Sequence, residues 1–406
     1  MIESQKLEIL FLSPDVPYPL NDGVSQRVYH FLRGLSQRNR VTLFALVHTP
    51  EKAAHVKVFT GMGIETHFEP VELNAWRNLP RRILDPLPDT IHHWQVPGLR
   101  EKVLGFVRKR PYDLIHCEDL SMTSQLVGED IGSVVVTDRT RVDLQFQTSI
   151  QKHVKHILRR AANAEGLFKL RRFERRVLRQ FPHQVVCSDD DYSFLRRAFG
   201  VSQTLCIVRN GIDETYFHEM DGAPSGRPTL VFTGAMHYYP NIDAMQWFFG
   251  EIHARLRAEF PGLRVVIAGK NPTREIESLG EIPGVEVTGA VPDIRPYYAQ
   301  ADVFIVPIRI GGGTRLKIVE AMAMGRPVVS TTIGCQGLDL IDGTHLLKAD
   351  TAEDFANAAA RFLKDAIFSQ RIAQHGREFV LEHFTWTRLS GELESFYRNI
   401  VGRTRA

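Results

Sequence analysis

One stretch in the last third of the chain combines glycines, cations and a carboxylate in a spacing that could bind a phosphorylated ligand. An apolar run ends at Pro307, glycines occupy 311–313, and a helical pattern begins at about Thr314. Glycines let a backbone approach a phosphate closely, and a helix N-terminus offers free N–H groups and the positive end of the helix dipole. Arg315 and Lys317 place two cations where that dipole disfavours them. The stretch therefore predicts a site for an anionic ligand.

Glu320 follows about two turns beyond the glycines, between Val319 and Ala321. Its carboxylate could accept hydrogen bonds from the hydroxyls of a ribose. The alternative is an exposed helix glutamate that pairs with an Arg or Lys. The stretch has neither the Gly-Lys-Ser/Thr ending of a P-loop nor the G-x-G-x-x-G pattern of a dinucleotide site. It therefore predicts a phosphate-and-ribose site of another kind.

The elements that must position these residues alternate between short apolar runs and helix-period stretches, which is typical of βαβ units. A first series of predicted strands covers 7–13, 40–47, 113–116, 133–137 and 184–187. A second series covers 229–233, 263–268, 284–288, 302–306 and 327–330. The pattern predicts an α/β fold with two Rossmann-like, doubly wound domains. Because ligands in such sheets lie beyond the carboxyl ends of the strands, we expect the two domains to face a cleft.

The domain boundary is predicted from a break in periodicity. The segment 218–228 is polar, contains Gly and Pro, and has no helical or strand period. We therefore expect a first domain at 1–215 and a second at 216–384. The last segment, 385–406, has apolar residues at helical spacing and no strand after it. We expect it to be a helix that crosses back to the first domain.

Composition excludes several classes of protein. The 406 residues carry a formal net charge of +3, with 43% apolar and 24% charged residues, which excludes a disordered chain. The four cysteines stand far apart without C-x-x-C spacing, so neither a disulfide framework nor a zinc knuckle is predicted, and a cytoplasmic location is the simplest expectation. No uncharged apolar run approaches the roughly 18 residues of a membrane span, so any membrane contact is expected to be peripheral.

The segment 152–179 is strongly basic, with ten Lys or Arg residues against Glu165 and Glu174. It is interpreted as a solvated basic surface or as a patch for anionic lipid headgroups or a polyanionic acceptor. Nucleic acid is not expected as a partner, because Phe168 and Phe173 are too few aromatics for a stacking platform.

The stretch at 307–331, PIRIGGGTRLKIVEAMAMGRPVVST, resembles the donor-binding segment of retaining, two-Rossmann-domain (GT-B) glycosyltransferases of the glycosyl transferases group 1, family 4-like type. Other segments agree along the chain: SPDVPYPLNDGVSQR, VVCSDDD, VRNGIDETYF, VFTGAMHYYPNIDA, VIAGKNP, VTGAVPDIRPYYAQADVFIVP and FTW. The resemblance implies a transferase that moves a sugar from a nucleotide-diphosphate donor, bound by the second domain. It also implies that the acceptor is a hydroxyl of a glycan or lipid-linked molecule bound by the first domain, in bacterial exopolysaccharide or cell-surface glycan synthesis.

The resemblance also implies roles for individual residues on the donor side. Glu320 matches the family glutamate that holds the donor ribose. The family's other glutamate, which usually contacts the donor sugar, falls at Gly312 and is missing, so backbone amides of Gly312 and Gly313 are the expected substitutes. The Arg and Lys that many members place after the first strand of the second domain are also absent. Arg315 or Lys317 is expected to replace that charge on the diphosphate. The expected donor-binding set is Gly23, Gly234, Gly289, Val291, Gly311, Gly312, Gly313, Thr314 and Glu320.

The predicted catalytic set is Glu118, His116, Arg315 and Lys317. His116 and Glu118 end a first-domain strand where the family often has a catalytic-site histidine, and alignment from Asp113 puts Glu118 at that position. A buried structural histidine is the alternative. For retention the resemblance implies a front-face attack in which the departing phosphate accepts the acceptor's proton. Catalysis then consists of positioning and of stabilising the leaving diphosphate.

No cofactor or metal is expected. The acidic run at 189–191 follows Ser188 and is better explained as a capped helix start than as a metal site. Three alternatives to a transferase remain at this point. One is a nucleotide-sugar epimerase of the same fold. Another is a non-catalytic nucleotide-sugar-binding protein, favoured by the missing glutamate, and the third is a membrane adaptor that uses the basic segment and has no catalytic activity.

Overall fold

The computed structural model describes residues 5–20, 22–72, 85–153, 157–200, 205–220, 226–311 and 315–405. The chain forms two compact units. The first unit consists of Met1–Asn210 and Leu389–Ala406, and the second of Gly211–Arg388. The boundaries expected from the sequence lie after residues 215 and 384, whereas these units divide after Asn210 and Arg388.

The first unit contains a seven-stranded parallel sheet with the order β3-β2-β1-β4-β5-β6-β7. Its strands are β1 Glu8–Ser13, β2 Arg40–Val47, β3 Glu65–Pro70, β4 Leu114–Glu118, β5 Val134–Arg139, β6 His183–Val186 and β7 Leu205–Ile207. The central strands are buried on both faces, which explains why their sequences read as continuous apolar runs.

Nine helices described in this unit connect the strands: α1 Gly23–Ser36, α2 Pro50–Ala53, α3 Val56–Thr60, α4 Asp89–His92, α5 Leu99–Arg108, α6 Asp119–Thr123, α7 Asp143–His153, α8 Ile157–Gln180 and α9 Asp189–Phe199. Asp22 caps α1 by accepting a hydrogen bond from the Ser25 N–H, at 2.9 Å. Ser188 caps α9 in the same way through the Asp191 N–H, at 3.2 Å, which confirms that the acidic run begins a helix.

The second unit contains a six-stranded parallel sheet with the order β10-β9-β8-β11-β12-β13. Its strands are β8 Thr229–Thr233, β9 Arg264–Ala268, β10 Val285–Gly289, β11 Val303–Val306, β12 Val328–Ser330 and β13 Leu347–Lys348. The described helices are α10 Tyr239–Trp247, α11 His253–Glu259, α12 Arg274–Glu277, α13 Arg295–Ala299, α14 Leu316–Ala323, α15 Ala352–Lys364 and α16 Ala366–His383. A π-helical turn, Phe248–Ile252, joins α10 to α11.

The last helix, α17 Trp386–Arg405, belongs to the first unit from Leu389 onward. Its buried face packs there, and the Ser390 hydroxyl donates to the carbonyl of His30 at 3.3 Å. The expectation of a C-terminal helix that returns to the first domain is therefore confirmed.

All ten predicted strands are present, with ends displaced by at most two residues. Sequence reasoning missed β3, β7 and β13. The first two are the edge strands of the first sheet and β13 is an edge of the second. Edge strands need no continuous apolar run, and β3 alternates between exposed and half-buried residues.

The structure also bears on the cysteines and on membrane-spanning helices. All four cysteines lie among the described residues, and none forms a disulfide. Within the described ranges, no helix combines the length and apolar character needed to cross a lipid bilayer.

Candidate active site

In the second unit, Gly234 follows β8 at the carboxyl edge of the sheet and makes room for two polar side chains. Its φ of 151° lies at the limit of the region that favours glycine. A Cβ atom there would lie 2.8 Å from both Lys317 Nζ and Asn241 Nδ2. A larger residue would therefore displace these two side chains from the backbone of the loop.

Lys317 is held at this position by neutral contacts. Its Nζ donates to Asn241 Oδ1 at 3.0 Å and lies 4.0 Å from the ring centre of Phe232. Asn241 Nδ2 donates to the carbonyl of Ala235 at 2.9 Å, which turns the amide oxygen toward the lysine. Burial, reinforced by the charge of Arg315, lowers the pKa of Lys317 to about 7. A half-buried ammonium whose direct contacts, Asn241 and Phe232, are both neutral is suited to binding an anion.

Glu320 lies one helical turn from Lys317, on the same face of α14. Its Oε2 accepts a hydrogen bond from the Tyr298 hydroxyl at 2.5 Å, and that hydroxyl is 2.8 Å from Thr233 Oγ1. Burial raises the pKa of Glu320, whereas the Tyr298 hydrogen bond and the charge of Lys317 oppose the rise. Glu320 is half-buried, so the interpretation as an exposed helix glutamate is wrong.

The structure describes the glycine-rich loop up to Gly311 and again from Arg315. Gly311 has a φ of 113°, and a Cβ there would lie 3.0 Å from Arg315 Nη2. Arg315 is half-buried and immediately precedes α14, which begins at Leu316 rather than near residue 314. The expected ligand-binding residues Gly312, Gly313 and Thr314 lie outside the described residues.

The loop after β10 lies at the same edge of the sheet, because all the strands are parallel. Gly289 ends the strand with a φ of 68°, and Val291 is half-buried beyond it. Nearby, Arg295 pairs with Asp293 at 2.7 Å and holds the pKa of that carboxyl down at about 2. The edge therefore brings Gly234, Gly289, Lys317 and Glu320 to one side of the sheet.

In the first unit, His116 is fully buried on β4. Its Nδ1 forms a short hydrogen bond with the Tyr397 hydroxyl of α17, and its ring stacks on Phe11 with centroids 4.1 Å apart. Burial lowers the pKa of His116 to about 4, so the ring is neutral at physiological pH. These contacts favour the interpretation of His116 as a structural core residue.

Glu118 ends β4 and is 1% exposed. Its Oε1 accepts from the Thr140 hydroxyl at 2.7 Å, and Oε2 has no hydrogen-bond partner among the described residues. Burial, together with the charge of Asp138, raises the pKa of Glu118 to about 8. The next residue, Asp119, has a φ of 60°, which is uncommon for a residue other than glycine.

Asp138 completes the cluster with His116 and Glu118, since one ligand-type atom of each lies within 4.8 Å of the others. Its carboxylate is already bound by Arg27, whose Nε and Nη2 each donate at 2.8 Å. Arg27 lies one turn after Gly23, the first residue of α1. A buried guanidinium thus balances the charge of the cluster and would repel a metal ion placed beside it.

Sequence reasoning missed Asn241, Tyr298 and Thr233 in the second unit and Arg27 and Tyr397 in the first. Asn241 and Tyr298 lie inside the segments that carry the family resemblance, but neither residue type indicates phosphate or ribose chemistry by itself. Their contacts depend on the tertiary fold, which brings the end of β8 together with α10, α13 and α14.

Two family models match the chain. Glycosyl transferases group 1 matches residues 227–365, and Glycosyltransferase Family 4 matches residues 21–216. A phosphatidyl-myo-inositol mannosyltransferase of Mycolicibacterium smegmatis is 23% identical over 320 residues, which cover 75% of this chain and 76% of that protein. An MMP alpha-(1->4)-mannosyltransferase of Mycolicibacterium hassiacum is 25% identical over 245 residues, covering 57% of this chain and 58% of that protein.

Solved structures show the same fold. Sucrose-phosphate synthase from Thermosynechococcus elongatus superimposes with a TM-score of 0.72 at 17% identity, covering 98% of this chain and 100% of the other. Anabaena HepE in complex with UDP and glucose gives 0.65 at 14% identity, with 96% and 98% covered. The fold is therefore GT-B, with two Rossmann-like units. The chain belongs to the group 1 glycosyltransferases and is a transferase.

Proposed function

We propose that this protein is a retaining glycosyltransferase that moves a sugar from a nucleotide-diphosphate donor to a hydroxyl of a glycan or lipid-linked acceptor. The proposed setting is the synthesis of a bacterial exopolysaccharide or cell-surface glycan. The observation that carries the proposal is the pair formed by Lys317 and Glu320 on one face of α14, beside the Gly234 loop. The ammonium suits a diphosphate and the carboxylate suits the adjoining ribose.

In this proposal the second unit supplies positive charge to the leaving group. Lys317 and Arg315 bind the diphosphate, and the backbone of the glycine loop adds N–H donors. As the bond between the sugar and the phosphate breaks, negative charge grows on the phosphate oxygens, where fixed cations stabilise it most. The acceptor hydroxyl attacks from the same face, and its proton passes to the departing phosphate. No metal is required, because the two cations take over its electrostatic role.

For the first unit we propose that His116 and Glu118 act by positioning rather than by contact with substrate. Both side chains are fully buried, and Glu118 immediately precedes Asp119 with its unusual φ. We propose that their contacts with Tyr397 and Thr140 hold the junction between β4 and α6 at the carboxyl edge of the sheet.

The test of the main proposal is a donor screen followed by a product assay. Nucleotide sugars are ranked by the increase they cause in the unfolding temperature, since a ligand at 100 times its Kd adds about 2.7 kcal/mol of stability. Release of nucleoside diphosphate is then measured with and without a bacterial glycolipid fraction. Release that depends on acceptor supports the transferase. An epimerised donor would indicate the epimerase, and binding without either reaction a non-catalytic protein.

The variant Glu320→Ala tests the proposed role of Glu320 in binding the donor. Because a hydrogen bond to a charged group contributes about 1.5–3 kcal/mol, we expect a loss of roughly tenfold to a hundredfold in donor affinity or turnover. Glu286→Ala, at a half-buried position of β10, serves as the control. Unchanged affinity and turnover in folded Glu320→Ala would contradict the assignment.

We further propose that α8 attaches the enzyme to an anionic membrane surface that carries its acceptor. The helix turns one face inward, with Leu170, Phe173, Val177 and Leu178 buried. The opposite face exposes Arg171, Arg172, Arg175, Arg176 and Arg179. The two acidic residues of the segment are both engaged, Glu165 with Lys169 and Glu174 with Arg139. The relative from Mycolicibacterium smegmatis, named for a phosphatidylinositol, supports a lipid acceptor.

Each Lys or Arg near an anionic surface contributes about 1 kcal/mol, so four arginines suffice for reversible attachment. Binding to phosphatidylglycerol vesicles should fall steeply with salt, because the attraction is screened over about 8 Å at physiological ionic strength. Replacing Arg171, Arg172, Arg175 and Arg176 with Gln should abolish vesicle binding and leave donor affinity unchanged. The control replaces four exposed arginines of the second unit, Arg255, Arg274, Arg361 and Arg371. Equal binding to neutral vesicles would contradict the proposal and favour the interpretation of α8 as a solvated basic surface.

A further inference from the structure

The Tyr298 hydroxyl joins Glu320 to Thr233 in the second unit. We propose that Tyr298 is a positioning residue, which holds one carboxylate oxygen of Glu320 so that the other is presented to a ribose hydroxyl of the nucleotide. This inference rests on the proposed role of Glu320 in donor binding. It assigns to Tyr298 the orientation of that carboxylate and thereby the selection of ribonucleotides.

The ring of Tyr298 is buried and packs against two aromatic side chains. Tyr298 is fully buried in the short helix α13. Its ring stacks on Phe304 of β11, with centroids 5.0 Å apart and planes inclined by 27°, and meets the edge of Phe217 at 6.0 Å. A side chain packed in this way cannot change rotamer without opening the core. The hydroxyl therefore occupies one place relative to α14.

The direction of the hydrogen bonds follows from the chemistry of the three groups. A tyrosine hydroxyl has one proton to donate, and an ionised carboxylate can only accept. The Tyr298 proton therefore goes to Glu320 Oε2, at 2.5 Å, and Thr233 must donate to the Tyr298 oxygen, at 2.8 Å. The chain of donors runs from the end of β8 to Glu320. It occupies Oε2, and in this proposal Oε1 is the oxygen that accepts from the ribose hydroxyl.

The hydrogen bond acts on the charge of Glu320 as well as on its orientation. Burial raises the pKa of Glu320, and the bond from Tyr298 is the larger of the two interactions that oppose the rise. Removing the hydroxyl would leave Oε2 without this partner and the carboxyl group more often protonated. Both changes weaken it as an acceptor for a ribose hydroxyl.

The experiment measures the preference for ribose over deoxyribose. Dissociation constants are measured by calorimetry for UDP and GDP and for their 2′-deoxy and 3′-deoxy analogues, and the base that binds more tightly is used throughout. The wild type should prefer the ribonucleotide by about tenfold or more over at least one of the deoxy analogues. In Tyr298→Phe that preference should fall at least threefold, while affinity for the same deoxy analogue stays within twofold of the wild type.

Three further variants separate positioning from a structural effect. Thr233→Val removes the donor to the Tyr298 hydroxyl and should reduce the preference, whereas Thr233→Ser keeps a hydroxyl and should retain it. Tyr297→Phe, at the neighbouring half-buried tyrosine of α13, should behave as the wild type. Equal losses for ribonucleotide and deoxynucleotide in Tyr298→Phe would mean a structural role, and an unchanged preference would also overturn the proposal. If Tyr298→Phe does not fold, the Thr233 pair decides the question.

The role of Glu320 is tested in the same assay. If Glu320→Ala keeps the full ribose preference, the proposed function of Glu320 fails. If Glu320→Ala abolishes the preference and Tyr298→Phe retains it, the assignment to Tyr298 alone is wrong.

Discussion

Raising the pH from 6 to 8 should weaken donor binding, because the lysine proposed to hold the diphosphate loses its charge in this interval. Burial and the neighbouring Arg315 lower the pKa of Lys317 to about 7. Lysine is cationic below its pKa, and a diphosphate favours the cationic form. Affinity is therefore close to its maximum at pH 6 and falls as the pH rises through 7.

The size of the effect follows from the fraction of charged lysine. If only the charged form binds, the apparent Kd is multiplied by one plus the ratio of neutral to charged lysine. For a pKa of about 7 this factor is about 1.1 at pH 6 and about 11 at pH 8. We therefore expect a roughly tenfold loss of affinity, equivalent to about 1.4 kcal/mol.

The assay is calorimetric titration with an intact nucleotide sugar. Both of its phosphates are esterified, so its charge stays constant over this interval. Lys317→Arg keeps its charge at every pH and should give a flat profile, and Lys317→Met should bind weakly at both pH values. His237 is exposed in the loop after β8, and His237→Gln should keep the wild-type slope. A flat wild-type profile, or a slope that persists in Lys317→Arg, would refute the reasoning.

Three other predictions concern Lys317, the buried pair formed by Arg27 and Asp138, and the effect of EDTA. Lys317→Met should raise the unfolding temperature of the ligand-free protein at pH 7, where each kcal/mol of added stability corresponds to about 2–4 °C. The same variant should lose the stabilisation that the donor provides. The sign follows because the pKa of about 7 in the folded protein lies below the ordinary lysine value of 10.5. Between these two pH values the unfolded chain binds more protons than the folded one, so burial of the ammonium opposes folding. A lower unfolding temperature would contradict this prediction. Asp138→Asn should destabilise the protein by about 3–5 kcal/mol in urea unfolding, because it leaves Arg27 charged in the core. Glu8→Gln, which breaks the surface pair with Arg40, should cost less than about 1 kcal/mol; similar losses would contradict the expected effect of burial. Transferase activity should survive EDTA, and a strict requirement for magnesium or manganese would argue against Arg315 and Lys317 as the source of charge.

The local elements could be predicted from the sequence because each is determined by neighbouring residues. A parallel strand that is buried on both faces must be a continuous apolar run, and all ten such runs became strands. Lys317 and Glu320 are three residues apart, so any helix over this stretch places them on one face. Ser188 caps α9 through a residue three positions further on. Interactions of such short range do not depend on how the sheets are assembled.

The partners of the polar side chains were decided only by the tertiary structure. His116 meets Tyr397 across 281 residues of chain, Arg27 meets Asp138 across 111, and Tyr298 meets Glu320 across 22. Such pairs depend on strand order and on where the helices pack, which no local pattern records. The same lysine could be solvated on an open helix, but the approach of Gly234, Phe232 and Asn241 removes water from it and lowers its pKa. The residue types and their helical spacing came from the sequence, whereas burial and charge state came from the folded core, because desolvation requires atoms from distant parts of the chain.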